Sequence, residues 1–255
     1  GYTMVYGILR LINFAHGDVF MVAGLMMVYL SASLPLAAAI PLMIILTVLL
    51  GFIIERAAYK PLRTAPRMSV MISAIGVSYL LQNLVCYVTG GLAKQFPDIP
   101  LISQSVRVFG VKDKLAVFIS PLVAVVLMVI LVLIINHTKF GMSMRAVSKD
   151  FETAQLMGVK INRVISMTFI IGSFLAAVGA LLYFAKNTGI NHMAGSTPGI
   201  KAFIAAVVGG IGSVPGAVVG ALLIGVVESL AKAFGLADFS DVISFALLII
   251  ILVIK

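Results

Sequence analysis

The chain has 255 residues, 62% hydrophobic and 11% charged, with 18 Lys and Arg against nine Asp and Glu for a net charge of +9. Those proportions exclude a soluble globular fold, which carries about 25% charged residues. In a chain this apolar, the basic excess reports which loops face the cytoplasm, not affinity for nucleic acid.

No charged residue falls inside Val19–Ile54, Met68–Ala93, Leu115–Thr138, Val164–Ala185 or Ala202–Val227. Each window exceeds the roughly 20 apolar residues that carry a helix across a bilayer, and each is apolar on all sides, which excludes a β-barrel. The expected fold is all-α: a single polytopic transmembrane helical bundle over residues 1–255, with one or two membrane segments broken by glycine. The chain opens at Gly1 without a methionine and closes at Ile254-Lys255 inside an apolar run, so both ends are expected to be truncated.

Residues 10–18, Arg-Leu-Ile-Asn-Phe-Ala-His-Gly-Asp, interrupt apolar sequence with polar groups and a glycine. Ionisable residues near membrane depth are costly, which makes Asn13, His16, Gly17 and Asp18 candidates for a translocation pathway. The competing reading is structural: Asp18 and Arg10 mark the cytoplasmic border, while Asn13 and His16 tie loose backbone groups at a helix break. Val19–Ile54 is too long for one helix and divides at Ser31–Pro35, giving spans over 19–33 and 36–54. Further spans are expected at 68–90, 115–135, 164–185 and 242–254. Cys86 lies inside an apolar window with no second cysteine to pair with, and reads as a small core residue.

Loop 55–67 carries Arg56, Lys60, Arg63 and Arg67, and loop 136–163 carries Lys139, Arg145, Lys149, Lys160 and Arg163. Two spans separate these loops, so they share a face, and their basic content places that face in the cytoplasm. Glu55 and Arg56 read as border charges. Loop 91–114 and segment 186–201 then face outward.

Ala202–Val227 is punctuated by Gly209, Gly210, Gly212, Ser213, Pro215, Gly216 and Gly220, enough to break or bend a helix. Gly212, Gly216 and Gly220 also repeat the spacing that lets helices pack closely. The alternative is a broken helix beside the conduit, whose half-helix ends point dipoles at a zwitterionic solute. Glu228 lies four residues before Lys232, the spacing of an interfacial ion pair. His137 and His192 sit at span ends without metal-ligand spacing, and no metal site is expected. No phosphate-binding Gly-x-x-x-x-Gly-Lys-Ser/Thr loop occurs, nor a set of nucleophile, base and acid, so neither ATP hydrolysis nor other catalysis is expected of this chain.

Within loop 136–163, Ser148–Gly158 reads as a short helix: Ser148 as its cap, Asp150 and Glu152 at its positive end, Gly158 at its C-terminal turn. A helix of about two turns persists only when packed on something, and Phe151, Ala154 and Met157 fall near one face. Its partner is either another protein or the chain's own cytoplasmic ends.

The run Glu152-Thr153-Ala154-Gln155-Leu156-Met157-Gly158 resembles the Glu-Ala-Ala-x-x-x-Gly loop of ABC-importer permeases, with Thr153 replacing an Ala. Tyr2–Gly7, Ile12–Asp18, Glu55–Arg63, Lys201–Ala217 and Asp241–Leu248 together resemble the permease subunits of high-affinity branched-chain amino-acid ABC transporters, over essentially the whole chain. The resemblance implies a coupling loop at 136–163, with Arg145, Asp150, Phe151, Glu152, Thr153, Ala154, Met157 and Gly158 as its candidate residues. It implies import of leucine, isoleucine or valine across a bacterial inner membrane. The implied partners, besides membrane lipid, are a second permease subunit, a pair of ATPase subunits and a periplasmic or lipid-anchored substrate-binding protein. ATP and Mg would be held by the ATPases, with no cofactor in this chain and no nucleic acid. A urea or short-amide permease of the same family is an alternative. An ion-coupled secondary transporter or a channel is another, although it would need protonatable groups deep in spans, whereas Asp18 and Glu228 are read at span margins.

Overall fold

The computed structural model describes residues 1–9, 13–63, 65–108, 111–210, 212–235 and 239–254. The readings above that fall on Arg10, Leu11, Ile12, Ile211 and Lys255 lie outside these residues. Helices dominate, in the order α1 (Tyr2–Leu9), α2 (His16–Ser33), α3 (Leu36–Ile54), α4 (Arg67–Thr89), α5 (Pro100–Ser103), α6 (Leu115–His137), α7 (Lys139–Lys149), α8 (Phe151–Leu156), α9 (Ile161–Lys186), α10 (Ser196–Val208), α11 (Val214–Ala233) and α12 (Ser240–Ile254). Among the described residues, six helical stretches are long and apolar enough to cross a membrane: those built on α2, α3, α4, α6, α9 and α11. The chain is a multi-pass membrane protein with a helical-bundle fold.

The expected spans match helices to within a few residues at most ends. Leu34 and Pro35 are both extended and α3 starts at Leu36, as the Ser/Pro signal between the first two spans predicts. The last expected span is α12, 15 residues long. Loop 136–163 holds more structure than one short helix. After Thr138, whose hydroxyl accepts the Gly141 N–H at 3.0 Å, α7 buries Gly141, Met144 and Val147 at three-residue spacing. That periodicity lays an amphipathic helix along the end of the bundle.

The helix ends sort as parity requires. At one end, β1 (Lys94–Gln95) pairs antiparallel with β4 (Gly189–Ile190), β2 (Ser105–Val108) pairs with β3 (Val111–Lys114), and the Lys114 ammonium donates to the Ala185 carbonyl at 3.0 Å. Loops 91–114 and 186–201 therefore share an end. At the other, Arg63 bonds Asn162, bringing loops 55–67 and 136–163 together.

At the centre of the bundle α9 packs against α2 and α3. Its buried face is Gly172, Ser173, Ala176, Ala177 and Ala180, small residues that admit close backbone approach where lipid gives no hydrophobic drive to associate. On the facing helix, a Cβ on Gly51 would lie 1.7 Å from Ser173 Oγ.

The Gly-rich region is a reversal, not a bend in one continuing helix. Gly220 lies against the Ala205 carbonyl, Gly209 and Gly216 lie against each other, and Lys201 pairs with Glu228, so α10 and α11 run antiparallel to each other. Gly210 and Gly212 take φ of +90° and +91°, the left-handed backbone that a Cβ disfavours. The chain restarts as helix when the Ser213 hydroxyl accepts the Gly216 N–H at 3.1 Å, with Pro215 in the first turn, where its missing donor costs nothing.

Candidate functional site: the capped helix and the helix breaks

Helix α8 begins at Asp150, which leaves the helical conformation at φ −152° and ψ 118°. Its carboxylate accepts the backbone N–H of Glu152 at 2.9 Å and of Thr153 at 3.3 Å, and also the Thr153 hydroxyl. Those bonds, the Thr153 hydroxyl first, hold the Asp150 carboxyl below its ordinary value. The cap is thus Asp150 and not Ser148. Ser148 is still inside α7, and its hydroxyl donates to the Arg145 carbonyl at 2.9 Å. Thr153, which departs from the usual Ala, has a local role: its side chain completes the cap.

The C-terminal end closes as the sequence predicts. Gly158 takes φ +81°, its N–H donates to Gln155 O at 3.0 Å, and Val159 N–H donates to Ala154 O at 3.0 Å, a Schellman closure. The expected common face of Phe151, Ala154 and Met157 is not one surface. Ala154 is buried, Phe151 is 38% exposed, and Met157 is 80% exposed beside Leu156 at 87%. With helix termini fixed by Asp150 and Gly158, the turn that buries Ala154 sends Leu156 and Met157 outward. Glu152 is exposed. Arg145 is spent locally, its guanidinium donating to Ile135 O at 2.9 Å and Asn136 Oδ1 at 3.1 Å, which satisfies the last carbonyls of α6.

Glu55, read as a border charge, is fully buried. It opens a π turn, Glu55–Tyr59, in which the Lys60 N–H bonds Glu55 O, five residues back, before a 3₁₀ turn at Lys60–Leu62. The carboxylate is paired with Arg63 and accepts the Ser166 hydroxyl at 2.7 Å. Arg56 remains exposed, as expected of a border charge. A cavity of about 1240 Å³ lies beside this cluster, with Tyr59 and Arg63 on one wall and Asp150, Phe151 and Glu152 on another.

Tyr59, from the same π turn, donates its hydroxyl to Asn13 Oδ1 at 2.7 Å, and its ring lies 5.0 Å from that of Phe169. Asn13 therefore satisfies a buried phenol and not loose backbone, although its own carbonyl does accept the His16 N–H at 3.2 Å. His16 packs its ring edge-on to Tyr2, with centroids 4.8 Å apart. Gly17 touches α10: a Cβ there would fall 2.6 Å from Gly195 O and 3.1 Å from Gly199 Cα. Gly7 and Gly212 approach in the same way, a Cβ on Gly7 lying 3.5 Å from Gly212 Cα. The start of α2 thus touches the start of α10, and α1 touches the turn before α11.

Asp18 is not a border residue. It is 2% exposed, accepts the Ser78 hydroxyl, and accepts Gln82 Nε2 at 3.0 Å, halfway along α4. A carboxylate there survives because two donors and its place in the first turn of α2 replace water. Glu228 pairs with Lys201 at 2.8 Å, not with Lys232, and Lys201 also reaches Asp241 at 2.8 Å. The α10–α11 reversal brings Lys201 to Glu228, and the start of α12 supplies Asp241.

Composition and spacing passed over Ser78, Gln82, Tyr59, Asn162 and Ser166. Ser78 and Gln82 did leave a signal, two polar residues four apart in an apolar window; Asn162 and Ser166 left none, being ordinary residues at a helix start.

Residues 1–252 match the family described as branched-chain amino acid transport system / permease component. The chain is 39% identical over 270 residues to the high-affinity branched-chain amino acid transport system permease protein LivH of Salmonella typhimurium, covering all of this chain and 87% of that relative. It is 41% identical over 272 residues to the permease protein BraD of the corresponding system of Pseudomonas aeruginosa, with the same coverage, and 38% identical to LivH of Escherichia coli K12. No solved structure matches the chain.

Proposed function

The chain belongs to the family of permease components of branched-chain amino acid transport systems, and from that premise we propose that it is the membrane-spanning subunit through which an ATP-driven importer moves leucine, isoleucine or valine across a bacterial inner membrane. It is not an enzyme; hydrolysis belongs to separate subunits. Companion subunits follow from membership in a transport system. Their proposed composition is a second permease, a pair of ATPases holding ATP and Mg, and an external binding protein that delivers the solute.

The observation that carries the docking role is the pair Leu156 and Met157, which project from a helix held at both ends by local bonds. A two-turn helix with two large apolar side chains in water is unfavourable without a partner to cover them. Its end of the bundle carries the most basic loops, the mark of the cytoplasmic side. The break at Asn13–Gly17 and the turn at Gly209, Gly210, Gly212 and Ser213 are the proposed lining of the passage, since irregular backbone at membrane depth offers polar groups to a zwitterion.

The test is reconstitution with the companion subunits. Replacing Leu156 and Met157 with Asp is expected to abolish co-purification of the ATPases and leucine uptake while leaving membrane insertion intact. Retained ATPase binding would remove the docking role.

A further inference from the structure

Helix α8 and the helix break before α2 sit at different levels of the bundle, and a path of packing, backbone turns and side-chain bonds joins them. Helix α8 packs against α9, which starts at Ile161, two residues after Val159, whose N–H bonds Ala154 O. In the first two turns of α9, Asn162 bonds Arg63 and Ser166 bonds Glu55 at 2.7 Å, so α9 is clamped to the π turn. Tyr59 leaves that turn on its other side and bonds Asn13 at 2.7 Å. The cavity between α8 and the π turn, about 1240 Å³, leaves α8 free to shift without direct collision, so its displacement reaches the π turn through α9.

We propose that the π turn Glu55–Tyr59 is a transmission joint: Glu55 and Arg63 take up movement of α8 through Asn162 and Ser166, and Tyr59 passes it to the helix break at Asn13. Three features favour a joint over a static staple. A π turn is a local register defect, and such defects in α-helices concentrate at functional sites. Arg63 Nε is buried without a partner, an unmet donor that a second arrangement of the cluster would satisfy. The far end of the link is the start of α2, where Gly17 bears on α10 at Gly195 and Gly199, so a shift at Asn13 moves the contact between α2 and α10. Tyr59, Glu55, Arg63 and Ser166 are positioning residues in this scheme; none is assigned contact with solute or nucleotide. The direction of the signal, from ATPase to passage, rests on the function proposed above, whereas the link itself does not.

Two measurements test it. In the first, amide hydrogen exchange is followed on the full chain in lipid nanodiscs. Asp150→Ala, which removes the α8 cap, is expected to speed exchange at residues 13–18 by about 3-fold or more. In a Tyr59→Phe background, Asp150→Ala should loosen α8 as before and leave residues 13–18 unchanged. The joint is overturned if Asp150→Ala never affects residues 13–18, or affects them equally in both backgrounds. In the second, Tyr59→Phe in the assembled transporter is expected to retain the ATPases, while leucine taken up per ATP hydrolysed falls about 5-fold. A merely structural hydroxyl would lower the thermal midpoint and leave that ratio alone, and an unchanged ratio overturns the role in transport. Should the wild-type assembly capture no ATPase or take up no leucine, the function proposed above fails, and the exchange experiment still decides the link.

Discussion

Helices α6 and α9 are both long enough to cross a membrane, and α6 is the more apolar, yet half of the apolar window of α9 is buried against 6% of that of α6. The difference lies in side-chain size. Helix α6 is largely Val, Leu and Ile, with only Ala116 and Leu131 among its residues buried, whereas α9 presents Gly172, Ser173, Ala176, Ala177 and Ala180 to its neighbours. Apolarity carries a helix into lipid, and small residues decide whether another helix comes close once it is there. A central helix can thus be less hydrophobic than a peripheral one, and it is the central one whose first turns receive the bonds from Arg63 and Glu55.

The largest expected effect is at that clamp. Glu55→Ala leaves Arg63, 17% exposed, opposite no charge and Ser166 without its acceptor, and breaking such a mostly buried pair costs about 3 kcal/mol. Thermal unfolding in nanodiscs should show it, and a variant as stable as wild type would mean that the clamp contributes nothing to holding α9. Next is Gly51→Leu, which drives a side chain into Ser173 and should cost about 1 to 3 kcal/mol with α3 pushed from α9. The companion change Val126→Leu on exposed α6 is expected to stay within about 0.5 kcal/mol. If the two variants unfolded alike, the contrast between α6 and α9 would be wrong.

A smaller effect is a pH dependence at α8. Because Thr153 favours the charged Asp150 carboxyl, the cap contributes stability that is present above the unfolded carboxyl value and lost as pH falls through the lower folded one. Protection of the Glu152 and Thr153 amides should therefore persist from neutral pH down to about pH 4 and fade only under more acid conditions. Loss of protection at higher pH would show that the cap does not depend on that carboxylate.

Much of this was legible before the fold was known. Span limits followed from the gaps between charges, because transfer of a side chain into lipid depends on that side chain alone. Gly158 at the end of α8 was legible for a similar reason, since a positive φ is a local demand. The cap at Asp150 was within reach too, because Asp is as good an N-cap residue as Ser. The partners of Asp18, Glu55 and Glu228 were not legible. Ser78, Ser166 and Lys201 lie 60, 111 and 27 positions away along the chain, and nothing in a local window says which helix will be adjacent.

What the amino-acid order determined by itself is where five of the six membrane-length helices lie, which loops share an end, and where helix α8 stops, all consequences of single-residue transfer energies and backbone preferences. Tertiary structure alone decided that the glycines at 209–213 turn the chain back on itself, that Asp18 lies deep with two donors, and that Tyr59 reaches Asn13. Each of those depends on which backbones approach within bonding distance, and close approach is a property of paired surfaces that no single segment contains.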